Sequence, residues 1–276
     1  MKLYIIGDSW ATTPDQEFLD DPNTPVPWQF LLYEKLQADA IEVHAKHGTS
    51  IEWAVHQYYT KVRPQIKPED CLLWVVTAPS RRWFFEDHPE LSNIWMNFDG
   101  VSALSPQQRK AIDYYKKYLS SEHTSESYLQ AMSSAISYDI IAIGASVIQA
   151  PGFVKFSPKP GDMTSEKLFN PYVAVHGSME SIGTYNFINE YDHVEDHDRW
   201  IVAAGKQQKD MVVDTGIDNR LNHISWKNHK ELANRLYESF AHRKDLNLYN
   251  DFILEPLNTA SVWIDYNKEW INRWKS

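Results

Sequence analysis

The chain has 276 residues, 43% of them hydrophobic, enough for one large domain or for one domain with sizeable insertions. Its formal net charge of -10 argues against a nonspecific nucleic-acid binder and against an anionic membrane surface as partner. A single cysteine, Cys71, excludes an intrachain disulfide; it opens an apolar run and reads as a small core residue rather than a reactive thiol.

No apolar run approaches membrane-spanning length, and the N-terminus enters a strand with no signal-peptide pattern. The expectation is a soluble, cytoplasmic protein. The 11 Trp and 15 Tyr are many for this length; such residues fill cores and also line carbohydrate and protein contacts.

Taken in order, Leu3 to Ile6 is a short apolar run with β-branched residues and predicts a buried strand. Gly7-Asp8-Ser9 follows at once. Residues 15–24 are polar and turn-rich. Pro27 then fits a helix start, with Trp28, Leu31, Leu32 and Leu36 at helical spacing. A second strand is predicted over 40–45, ending at His47-Gly48-Thr49-Ser50, and a helix over 51–62. Leu72 to Val76 is apolar on both faces, as a central parallel strand requires. It exits at Thr77-Ala78-Pro79-Ser80-Arg81-Arg82.

Residues 83–104 are aromatic and irregular. Ser105-Pro106 predicts a capped helix running toward Leu119, and a further helix is predicted over 125–137. Asp139 to Ile143 and Ser146 to Ile148 read as strand-like pieces separated by Gly144. Residues 151–210 are long and poorly periodic, which suits a lid, a binding insertion or a small subdomain. Met211-Val212-Val213 suggests a last short strand, and a clear helix is predicted over 225–240. The tail contains Trp263, Trp270 and Trp274. Strands alternating with helices imply a mostly parallel sheet with helices on both faces. The expected organisation is one α/β domain over 1–240 with insertions at 83–104 and 151–210, then an aromatic extension over 241–276.

In such a sheet the three polar strand exits emerge on one edge, where open α/β folds place their ligands. A strand, a sharp turn and an exposed Ser is the architecture of an activated nucleophile, although Asp8 and Ser9 are also ordinary turn formers. A Ser nucleophile needs a base, usually His. On the last helix, His229 shares a face with Trp226, Ala233, Leu236, Tyr237 and Phe240, so it reads as a packed histidine. His223 precedes the helix in a loop and is the favoured base.

These residues carry a resemblance. Gly7-Asp8-Ser9 near one end, with His223-Ile224-Ser225 followed by His229, Leu232 and Ala233 near the other, is similar to the SGNH/GDSL hydrolase superfamily. Some phage-encoded members look especially similar, with Thr77 to Arg81 matching a Thr-x-x-x-Arg exit and Asp218 to His223 an Asp-x-Arg-x-Asn-His run. The resemblance implies a flavodoxin-like parallel sheet, Ser9 as nucleophile and His223 as base, with Gly48 as the oxyanion-hole glycine. It also implies an O-acyl ester substrate, on a carbohydrate or another small molecule, and no cofactor. A phage-encoded protein would act in the host cytoplasm or the virion.

Two positions depart from the superfamily pattern. Its third block, Gly-x-Asn-Asp, supplies an Asn to the oxyanion; the corresponding exit here has none, leaving Thr77, Ser80 or Arg81 as donor. Its last block has Asp three residues before His, where this chain has Arg220; the nearest acid is Asp218. These departures keep open a binding or structural protein, for instance in phage assembly, and an acyltransferase is a third possibility.

Other signals compete with this one. Asp192 to Asp198 includes His193 and His197 at metal-ligand spacing, but charged loop runs are usually solvated, and no metal is expected. Glu190 with His193 mimics an acid–x–x–His pair without the amphipathic helix. Arg81-Arg82 beside Trp83-Phe84-Phe85 suits either an anionic or sugar ligand or pairing with nearby acids. The C-terminal tryptophans either cover the core or dock a protein partner.

Overall fold

The computed structural model describes residues 1–13, 26–79, 81–92, 104–152, 168–179 and 226–248. Strands β1 (Lys2–Gly7), β2 (Ala40–Ala45), β3 (Cys71–Val76) and β4 (Ser146–Pro151) form one sheet in the order β2-β1-β3-β4, every pair parallel. Helices α1 (Trp28–Leu36), α2 (Ile51–Gln57), α3 (Pro106–Tyr114), α4 (Glu122–Ile143) and α5 (Trp226–His242) accompany it.

The period-two alternation of the strands sorts the core into two layers. Leu3, Ile5, Leu73 and Val75 face one way, against Trp28 and Leu32 of α1 and Leu232, Ala233 and Leu236 of α5. Tyr4, Ile6, Leu72, Trp74 and Val76 face the other way, against Ile51 and Ala54 of α2 and Leu129, Ile136 and Ile140 of α4. The α/β expectation therefore holds, and β3 is buried along its whole length. From β1 the chain crosses to β2 on one side and then passes back to β3 on the other. The direction reverses between β1 and β3, and a crevice at such a switch point is where open α/β sheets bind ligands.

Local chemistry accounts for most boundaries. Ser105 caps α3 through the expected side-chain bond, and Gln108 returns the bond to complete a capping box. Helices α2 and α3 each end in a single π-helical turn, Tyr58–Val62 and Tyr115–Leu119. One expectation is overturned. Asp139 to Ile143 is not a strand but the end of α4. A short apolar run cannot be told from a buried helix by its hydropathy alone; Ile136 and Ile140, one helical turn apart, pack together against the sheet.

Among the described residues no strand pairs with the outer edge of β4, and the segment at 168–170 bonds to it instead. The Gln149 N–H donates to Asn170 Oδ1 at 2.7 Å, and Asn170 Nδ2 donates to the Gln149 carbonyl at 2.9 Å. One carboxamide thus occupies the place of a neighbouring strand, which blunts an edge open to pairing. Two short strands, β5 (Val175–His176) and β6 (Leu246–Asn247), pair in parallel, and Leu246 and Leu248 are buried in the core layer of α1 and α5. Residues just past α5 therefore belong to the packed domain. The proposed strand at Met211–Val213 and the three C-terminal tryptophans lie outside the described residues.

Cys71 is buried, in keeping with a core role, and burial pushes its thiol up to about 12. Between the ordinary value and about 12 the unfolded chain forms the thiolate while the folded chain keeps the thiol, so stability falls as pH rises through that window. The native protein at pH 8 should react with iodoacetamide about a thousandfold more slowly than the urea-unfolded chain. Equal rates, measured by mass spectrometry, would show Cys71 to be accessible.

Candidate active site

Gly7 ends β1 with φ 153°, and a Cβ there would stand 2.6 Å from the Val75 carbonyl oxygen of β3. Only glycine allows the two central strands to stay adjacent at this point. The chain then folds into a turn: the Ala11 N–H donates to the Asp8 carbonyl at 3.0 Å, and the Trp10 N–H donates to Asp8 Oδ1 at 3.1 Å. Ser9 is the second residue of this turn, held at the carboxyl end of β1; contrary to the exposed serine expected, it is almost wholly buried, because the turn is packed between the neighbouring strand exits and α1. Helix α1 supports the turn, because Gln29 Nε2 donates to the carbonyls of Ala11 and Thr12 at 3.2 and 2.9 Å.

The β2 exit lies alongside. The Lys46 N–H donates to the Gly7 carbonyl at 3.3 Å, and Thr49 Oγ1 donates to the Lys46 carbonyl at 2.8 Å. Gly48 has φ 70°, and a Cβ there would stand 2.6 Å from the Glu90 carbonyl oxygen. The Gly48 carbonyl accepts from Ser92 Oγ, so the segment at 90–92 braces this turn on both counts. Ser50 then caps α2 by accepting from the Trp53 N–H at 3.3 Å.

The β3 exit supplies Thr77 and Arg81. Arg81 Nη1 donates to Asp8 Oδ2 at 3.1 Å, to Thr77 Oγ1 at 3.0 Å and to the Thr49 carbonyl at 3.5 Å. Asp8 is 0% exposed, and Arg81 is 9% exposed. Burial pulls the Arg81 guanidinium below its ordinary value, and the Asp8 carboxylate opposes that fall. Arginine begins so far above neutrality that the group stays charged. Arg82 points elsewhere, to Glu52 of α2, the Tyr115 hydroxyl and Ser125 of α4, at 3.0, 2.7 and 3.1 Å. Burial works against its charge, but Glu52 and Tyr115 outweigh that and hold the guanidinium above its ordinary value. Both guanidiniums thus pair with acids, Arg81 with Asp8 and Arg82 with Glu52.

Of the anticipated site residues, Ser9, Gly48, Thr77 and Arg81 belong to these three converging exits. Ser80, Asp218 and His223 lie outside the described residues, as do Glu190 and the run from Asp192 to Asp198. Among the described residues, no group of three or more His, Cys, Asp or Glu could hold a metal ion. None of the helices described is long and apolar enough to cross a membrane. Sequence reasoning treated Asp8 only as a turn former and missed its ion pair with Arg81. The available signal was an acid and a base at two neighbouring strand exits, both in apolar surroundings.

His229 is half-buried on α5, and its Nδ1 accepts the Trp28 N–H at 3.0 Å. Pro27, the residue capping α1, provides no side-chain bond. His229 therefore satisfies a helix N-terminal donor that the sequence leaves without a local partner. In comparison with known proteins, the chain matches no protein-family model, and no curated protein matches it significantly.

His229→Ala removes the acceptor for the Trp28 N–H and part of the packing between α1 and α5. It should cost about 1 kcal/mol of stability, read as a lower urea midpoint with an unchanged slope. An unaltered midpoint would show that the bond contributes nothing.

Proposed function

We propose that the protein is a serine esterase of the SGNH type, acting on O-acyl esters of a carbohydrate or another small molecule. The carrying observation is the position of Ser9. It lies in a tight turn at the carboxyl end of a central parallel strand, at the switch point of the sheet, beside the Gly48 turn. In this reading Ser9 Oγ attacks the acyl carbonyl, and His223 takes its proton. The tetrahedral oxyanion is held by the backbone N–H groups of Ser9 and Gly48 and by a donor from Thr77, Ser80 or Arg81. His223 returns the proton to the departing alcohol and then activates water to release the acid. Asp218 orients the imidazole. The chemistry needs no cofactor.

A second reading, a binding or structural protein that keeps the fold, is favoured by one observation. Where the superfamily has an Asn donor, Arg81 Nη1 is bonded to Asp8, Thr77 and the Thr49 carbonyl.

Hydrolysis of short-chain nitrophenyl esters decides between them. Wild-type protein should be active and Ser9→Ala inactive; activity surviving in Ser9→Ala would put the nucleophile elsewhere. Wild-type inactivity across a broad ester panel would favour the binding protein. His223→Ala should remove activity with little change in melting temperature. Asp218→Asn keeps size and removes charge, so turnover should fall at least about a hundredfold if it completes the triad. Near-wild-type turnover in a folded Asp218→Asn protein would leave a Ser–His dyad.

A further inference from the structure

We propose that Arg81 is a positioning residue whose guanidinium staples the three strand exits together and so sets Ser9 against Gly48. This rests on the esterase reading above. Its Nη1 alone reaches an atom of each exit: Asp8 Oδ2 after β1, the Thr49 carbonyl after β2 and Thr77 Oγ1 after β3. Each contact is one residue from, or itself, a group assigned to the reaction. Asp8 precedes the nucleophile, Thr49 follows the oxyanion glycine, and Thr77 is a candidate donor. The Asp8 carboxylate divides its oxygens between the staple and the turn: Oδ2 accepts from Arg81 and Oδ1 from the Trp10 N–H. The angle at which the turn presents Ser9 is thus coupled to the guanidinium. Asp8, Thr49 and Thr77 are all buried. In such surroundings a charged pair costs too much to break for the exits to drift apart.

All three contacts are made by Nη1, whose position the planar guanidinium fixes, whereas a lysine ammonium ends one bond nearer the backbone on a flexible stem. Arg81→Lys therefore keeps the charge and removes the geometry. Hydrogen–deuterium exchange, read peptide by peptide, tests the staple without reference to any substrate. Exchange should quicken in Arg81→Lys at residues 8–12, 46–50 and 77–79 together, with α4 and α5 unchanged. Arg82→Lys, altering a guanidinium that holds α2, α3 and α4, should spare residues 8–12. Quickening at one exit only, or at none, would overturn the staple. If Arg81→Lys does not fold, Thr77→Val removes one acceptor and leaves the charges paired; it should quicken the same segments to a smaller extent, and unchanged exchange would overturn the proposal.

With an active wild type, Arg81→Lys should lower kcat about a hundredfold with KM within about twofold, since misplaced reacting groups cost turnover rather than affinity. A raised KM with kcat retained would overturn the proposal by making Arg81 a substrate-binding group. An inactive wild type would refute the esterase reading, and the exchange pattern would then decide for or against the staple by itself.

Discussion

An ionised carboxylate taken out of water needs a partner of opposite charge or a full set of donors. Asp8 has both kinds, from Arg81 and from the Trp10 N–H, and it is wholly buried at the end of a central strand. The pair is therefore more than a surface decoration. Removing either member would take away the opposite charge that the other holds at 3.1 Å inside the sheet edge. The turn carrying Ser9, the loop carrying Gly48 and the exit carrying Thr77 are all arranged around that requirement.

The two glycines play a complementary part. At Gly7 the Val75 carbonyl, and at Gly48 the Glu90 carbonyl, occupy the space a side chain would need. Both contacts are backbone approaches that allow chain segments to crowd the switch point. Behind them, Gln29 ties the first turn to α1, and Ser50 ties the second to α2. A group held by a turn that is itself fixed to rigid helices on both faces is preorganised in the sense that catalysis and tight binding both require.

Much of the architecture is legible from local pattern. The strand at Leu72 to Val76, the cap at Ser105 and the apolar stripe of the last helix each report a period or a backbone need that residues within a few positions satisfy. The failure at Asp139 to Ile143 has the same root. A run of five residues contains too little periodicity to separate a strand from a helix, and Ile136 and Ile140, one helical turn apart, share the core layer beneath the sheet. His229 was readable as a packed residue, but its bond to the Trp28 N–H joins positions 201 apart, beyond any local rule.

The sequence by itself determined the fold class, the strand exits and the candidate nucleophile, because hydropathy period, β-branching and turn chemistry are properties of neighbouring residues. It also supplied the resemblance that points to an esterase. Only the tertiary structure decided which charges meet. Arg81 and Arg82 are adjacent in the chain and chemically alike, yet one closes the sheet edge through Asp8 and the other clamps helices through Glu52. Which acid each guanidinium reaches depends on strand order and on the side of the sheet each helix covers, and those are set by the packing of residues far apart in sequence.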